Sequence, residues 1–173
     1  MRQIDHFIVG GAGGTASRKH SIWNPSTGEV QAEVALGDAS VLQRAVDAAK
    51  TVQPEWAATN PQKRARVMFE FKRLVEAEKQ ALAELLASEH GKVVEDAHGD
   101  IQRGLEVIEY ACGIPHSLKG EYTPGAGPGI DVYSLRVPLG IGAGITPFNF
   151  PAMIPMWMFG VAIACGNTFV NKP

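Results

Sequence analysis

Apolar and polar residues follow three different spacings along this chain, and each spacing predicts a different kind of element. Residues 4–36 break into short runs. Phe7-Ile8-Val9 leads into Gly10-Gly11-Ala12-Gly13-Gly14, and Ser21-Ile22-Trp23 leads into the turn Asn24-Pro25-Ser26-Thr27-Gly28. Val30, Ala32 and Val34 then alternate with Gln31 and Glu33, the period-2 pattern of a half-exposed strand. Beyond residue 37 the period lengthens to that of helices. The first is capped by Asp38 or Ser40 and runs through Val46 toward Val52. The second starts at Asn60 as N-cap with Pro61 in the first helical position. Its stripe of Val67, Phe71, Leu74, Leu82 and Leu85 ends at a Gly91 stop. The third places Ala97, Ile101, Leu105, Ile108 and Cys112 on one face.

The pattern changes again near residue 120. Residues 120–129 are a loop by composition, and 130–137 alternate like a strand with one wet face. Three apolar elements follow: a buried strand over Leu139–Ile145, a helix over Pro151–Cys165 and a second buried strand at Thr168-Phe169-Val170. Strand–helix–strand with both strands apolar predicts a βαβ unit and a parallel sheet, so the chain reads as α/β. The apolar run 145–165 is long enough to span a bilayer, but Pro147, Pro151, Pro155 and Asn149 interrupt it, which favours a buried helix.

Composition sharpens this picture. The 173 residues suit one domain or two small ones. A net charge of −2 argues against a dedicated nucleic-acid binder. Two distant cysteines, Cys112 and Cys165, exclude a disulfide-rich scaffold and a four-thiolate zinc site. No apolar stretch of a secretory signal opens the chain, so a reducing compartment, the cytoplasm by default, is expected, with no membrane partner. Residues 41–110 hold 22 of the 34 charged side chains and Val137–Asn171 holds none, so the middle is solvated and the end is buried.

Several residues bear on chemistry. Gly10–Gly14 has no amphipathic helix behind it and reads as a hairpin turn. Gly140-Ile141-Gly142-Ala143-Gly144 lies in a βαβ strand, where glycines more often allow close backbone approach than phosphate binding. Asn149 sits just past a buried strand's carboxyl end, where open α/β sheets place ligands. Its amide either caps the helix beginning near Pro151 or donates to developing negative charge. Lys172 either marks re-emergence into water or meets a ligand at the same strand-end edge. Arg103, opposite the third helix's stripe, reads by pattern as a solvated partner of Asp100. Both cysteines sit where cysteine acts as a small hydrophobe, and no two histidines have metal-ligand spacing.

Thr146-Pro147-Phe148-Asn149-Phe150-Pro151, then Cys165-Gly166-Asn167-Thr168 and Lys172-Pro173, resembles the first βαβ unit of the NAD-dependent aldehyde dehydrogenase superfamily. Asn24–Gly28, Trp56, Arg64 to Arg66, Glu89-His90-Gly91-Lys92 and Pro138-Leu139-Gly140 agree with it. Residues 147–159 are similar to the methylmalonate-semialdehyde dehydrogenase branch, which oxidises a carboxylated semialdehyde and passes the acyl group to coenzyme A. The resemblance implies the amino-terminal portion of the aldehyde dehydrogenase fold, with helices and short strands leading into a Rossmann-like NAD domain. Its divisions would be 1–119, 120–138 as a strand-containing segment and possible oligomerisation arm, and 139–173. It implies Asn149 as oxyanion donor, Thr146 and Phe148 lining the NAD site, Lys172 reaching the adenosine ribose, and Arg103 holding the substrate carboxylate. It further implies a homo-oligomer, and a catalytic cysteine and general-base glutamate outside these residues. The chain alone is then expected to be inactive. The alternative is a non-catalytic module of the same ancestry that oligomerises or pairs with a separate second half.

Overall fold

The computed structural model describes residues 1–8, 11, 12 and 18–173; Val9, Gly10 and residues 13–17, which hold most of the expected glycine turn, lie outside the described residues. Short strands open the chain: β1 (Arg2–Ile4), β2 (Phe7–Ile8), β3 (Gly11–Ala12), β4 (Arg18–Asn24) and β5 (Glu29–Leu36). β5 is central in a three-stranded sheet, parallel to β1 and antiparallel to β4. β2 and β3 pair antiparallel, with Phe7 opposite Ala12. The β4–β5 turn closes as its residues dictate: the Asn24 side chain accepts from the Ser26 N–H at 2.9 Å, and Gly28 takes φ +74°.

Four helices follow. α1 (Ala39–Ala58) is capped by Asp38, whose carboxylate accepts from the Ser40 and Val41 N–H groups at 2.9 and 3.0 Å. α1 runs six residues past Val52, straight through Pro54. Proline deletes one ladder bond there, but the last turns are docked elsewhere: Trp56 Nε1 donates to the Ile163 carbonyl at 2.9 Å. The expected single helix from 61 to 90 is two, α2 (Pro61–Ala77) and α3 (Lys79–His90), separated at Glu78. Asn60 caps α2 as expected, accepting from the Gln62 N–H at 2.8 Å. The buried faces of both helices are offset from the expected apolar stripe. Val67, Leu74, Leu82 and Leu85 are exposed, whereas α2 buries Arg64, Ala65 and Met68, and α3 buries Ala83 and Leu86. Gly91 ends α3 at φ +86°, and a Cβ there would stand 2.7 Å from Pro25 Cγ, so the position excludes other residues twice over.

α4 (Val94–Cys112) is the centre of the core. All five stripe residues are buried, and Ile101, Leu105 and Ile108 are among the largest fully buried side chains. The Met68–Ala111–Cys112–Ile114–Ala164 cluster and the Ala83–Leu86–Ala97–Ile101–Leu105 cluster both rest on this helix. After α5 (Ile114–Ser117), the segment expected as a loop contains β6 (Tyr122–Gly127), paired antiparallel with β7 (Ile130–Tyr133). Gly125 and Gly129 supply positive φ in this ribbon, so the glycines that suggested a loop instead build a twisted hairpin. β7 stops at Tyr133, short of the expected 137, and both of its faces are exposed.

The chain ends in the expected βαβ unit: β8 (Ile141–Ile145), α6 (Met153–Ala164) and β9 (Thr168–Lys172), with β8 and β9 parallel. β8 is less covered than its apolar sequence implied. Leu139, which precedes β8, is 99% exposed and Ile145 78%, and Ile141, Ala143 and Ile145 share an open face of this two-stranded sheet. The Cys165-Gly166-Asn167-Thr168 turn has a clear local logic. Gly166 adopts φ +93° against Pro138, and Asn167 accepts from the Gly140 N–H at 2.9 Å while donating to the Ala162 carbonyl at 3.1 Å. One side chain thus joins the start of β8 to the end of α6.

Glycines set how closely α4 and α6 approach. A Cβ on Gly104 would lie 2.6 Å from Met156 Cε and 3.3 Å from Met153 Cα, and one on Gly160 would lie 2.6 Å from Ile108 Cδ1. Gly104→Val is expected to destabilise the protein by about 1–3 kcal/mol through overpacking. A urea denaturation midpoint unchanged from the parent would show that the interface has slack.

Candidate functional site

The carboxyl ends of β8 and β9 form one edge, and three of the sequence-predicted residues lie on it or just beyond it. Ile145 pairs with Lys172. Thr146, buried, donates its backbone N–H to the Lys172 carbonyl at 3.1 Å, and its Oγ1 lies 3.4 Å from the same oxygen. Lys172 is exposed there, and Phe148, 86% exposed, projects from the following turn. Open α/β sheets receive ligands at this end of their strands.

Asn149 occupies the same turn and is exposed. The cap reading does not hold in the structure: the N-cap position of α6 is Ala152, with no side-chain cap hydrogen bond. The partner of the helix end comes from elsewhere. Asp100, on α4 and 2% exposed, accepts from the Met153 N–H through Oδ1 at 2.7 Å. Its other oxygen, Oδ2, is 3.2 Å from Lys92 Nζ. Lys92 also donates to the Asn149 backbone carbonyl at 3.1 Å, and its ammonium lies 4.7 Å from the Phe150 ring centroid. The amide of Asn149 is therefore left unused by the helix, while its backbone is tethered.

Arg103 sits one turn beyond Asp100 on α4. The expected Arg103–Asp100 pair is absent because Lys92 has taken the carboxylate; Arg103 instead meets Glu106 at 3.4 Å, with both side chains more than half exposed. Such a pair is loose. The Arg103 carbonyl accepts from Trp157 Nε1 at 3.1 Å, tying the backbone beneath the exposed guanidinium to α6. Arg103, Lys92, Asp100, Phe150 and Met153 line one open cleft of about 560 Å³, with His90, Glu95, Asp96 and Gly99. The cleft thus brings Arg103 beside the residue that follows Asn149.

Neither cysteine is placed as a nucleophile. Burial pushes both thiols up, against partial opposition from the Lys72 ammonium at Cys112 and the Arg64 guanidinium at Cys165. A thiol raised in this way carries little thiolate at neutral pH. Arg64 is itself buried, donating to the Ala164 carbonyl at 3.1 Å, the Ala57 carbonyl at 3.3 Å and the Thr59 carbonyl. Among the described residues, no group of three or more His, Cys, Asp or Glu is placed to hold a metal ion. Among the described residues, no helix is long and apolar enough to cross a membrane.

Lys92 and Asp100 escaped the sequence reading as working residues. The available signal was an ionisable side chain, Asp100, four residues before Gly104 and one before Ile101, inside a row that must face the core.

Comparison with known proteins finds relatives over nearly the whole of this chain. The aldehyde dehydrogenase family matches residues 13–173. The malonate-semialdehyde dehydrogenase of Pseudomonas aeruginosa is 49% identical over 173 residues, 100% of this chain and 35% of that protein. The acylating mitochondrial methylmalonate-semialdehyde dehydrogenase of Arabidopsis thaliana is 51% identical over 150 residues, 87% of this chain and 25% of that protein. A Sinorhizobium meliloti 1021 protein solved in complex with NAD superposes with a TM-score of 0.97 at 60% identity, covering 100% of this chain and 35% of that one. The chain spans about a third of the length of the relatives it matches.

Proposed function

Because this chain belongs to the aldehyde dehydrogenase family, we propose that it supplies the oxyanion donor, the substrate-carboxylate clamp and one wall of the nucleotide site in an NAD-dependent, CoA-acylating dehydrogenase of malonate or methylmalonate semialdehyde. The observation that carries this reading is the cleft in which Arg103 lines a wall with Phe150, next to Asn149. A small aldehyde bearing a carboxylate needs a cation for one end and a hydrogen-bond donor for the other. Asn149 donates to the carbonyl oxygen as it gains charge on thiol attack, and Arg103 holds the distant carboxylate.

NAD, when bound, takes up the hydride released from the carbon that becomes the acyl group. The residues present fit one side of such a site. Thr146 anchors the Lys172 backbone at the strand end, Lys172 offers an exposed ammonium to ribose hydroxyls, and the exposed Phe148 ring forms part of the wall. The unpaired thiols suit a reducing cytoplasm, and the exposed β6–β7 ribbon, within 120–138, suits a homo-oligomer. The apolar side chains left open at Leu139, Ile145 and Phe148 favour a second reading of the chain by itself, as a module that pairs with further polypeptide.

The test is NADH formation. A full-length enzyme carrying this sequence is expected to reduce NAD with malonate or methylmalonate semialdehyde and coenzyme A. The 173 residues alone are expected to form no NADH, since a covalent cycle needs an activated nucleophile. Semialdehyde-dependent NADH from the chain alone would return Cys165 and Cys112 to consideration.

A further inference from the structure

We propose that Lys92 and Asp100 are positioning residues that hold the Asn149 turn in register with the carboxylate-binding cleft; this rests on Asn149 being the oxyanion donor. Asp100 is fully buried at its side chain and Lys92 nearly so, at 11%. Their contacts fall at Asn149 and just after it: Lys92 donates to the Asn149 carbonyl and lies over the Phe150 ring, and Asp100 accepts from the Met153 N–H. Between the exposed Phe148 and the first turn of α6, these are the polar tethers that cross from another element.

The tether is built in two halves. Gly91, with its left-handed backbone, ends α3 one residue before Lys92 and so sets where the ammonium enters. Asp100 is carried by α4, the most buried helix, one turn from Arg103. A single rigid helix therefore supports both the clamp for the substrate carboxylate and the anchor for the turn that bears the amide. Charge-assisted bonds of a buried pair are stiff, and an oxyanion donor displaced by a fraction of an ångström loses much of its effect.

A double-mutant cycle on the full-length enzyme tests this, with pre-steady-state NADH formation as the rate readout and melting temperature and substrate KM alongside. Lys92→Met keeps the apolar stem and removes the ammonium. It is expected to slow acylation about tenfold, to leave KM for the semialdehyde within about twofold, and to be largely restored by Lys92→Arg. On the Asn149→Ala background the same substitution is expected to cost no further rate, because it acts through a side chain already gone. Where Lys92→Met folds poorly, Asp100→Asn carries the same cycle, since it keeps an acceptor for the Met153 N–H and removes the charge that holds Lys92. An unchanged acylation rate, or an equal loss with and without Asn149, overturns the proposal. If Asn149→Ala itself leaves acylation unchanged, the oxyanion assignment fails first; a slow Asn149→Ala with a normal Lys92→Met fails the tether alone.

Discussion

Asn149→Ala in a full-length enzyme carrying this sequence is expected to slow acylation by about 10²–10³-fold, the loss typical of removing one oxyanion-hole donor. Stability should hardly change. The structure shows no side-chain bond from Asn149 to the α6 N-terminus, which is served by Asp100 instead. Loss of a true cap costs about 0.5–2 kcal/mol; here the melting temperature should stay with the parent while the burst of NADH collapses. A lowered melting temperature with normal acylation would make Asn149 structural.

Arg103→Ala is expected to lower kcat/KM for a carboxylated semialdehyde by about 10- to 100-fold, the equivalent of losing hydrogen bonds to a charged group. Most of the loss should appear in KM. An uncharged aldehyde of similar size should be affected little, since it never engages the guanidinium. The 3.4 Å pair with Glu106 is too exposed to oppose this, so Arg103 is expected to exchange it readily for a substrate carboxylate. Equal losses for both aldehydes would assign Arg103 to the fold.

The elements with strong local signals were legible in the chain. Asp38, Asn60 with Pro61, and Gly91 announced helix ends, and α4's row of Ala97, Ile101, Leu105, Ile108 and Cys112 announced its buried face. The βαβ unit followed from two apolar strands around an apolar helix. What escaped was set by tertiary partners. The break at Glu78 has no glycine or proline to mark it, and the exposure of Val67, Leu74, Leu82 and Leu85 depends on which neighbours the chain packs against. β6 hid behind its glycines, whereas its partner β7 lay within the strand expected over 130–137. Asn149, Thr146, Phe148, Lys172 and Arg103 were named as site candidates through the family resemblance, and the contacts that tie the Asn149 turn to Lys92 and Asp100 were not. That Lys92 rather than Arg103 would win Asp100 depends on Gly91 turning the chain toward α4, a three-dimensional fact.

α6 has a polar partner from the helical layer at each end. Asp100 places a carboxylate at its first turn, and Arg64 places a guanidinium against the Ala164 carbonyl at its last. The helix dipole is positive at the start and negative at the finish, so each outside charge has the compensating sign. The 35 residues from Val137 to Asn171 carry no charge of their own, and the two that compensate α6 come from α4 and α2. The strand–helix–strand unit is therefore electrically dependent on the layer it packs against. A cut near residue 138 would sever its central helix from both countercharges at once.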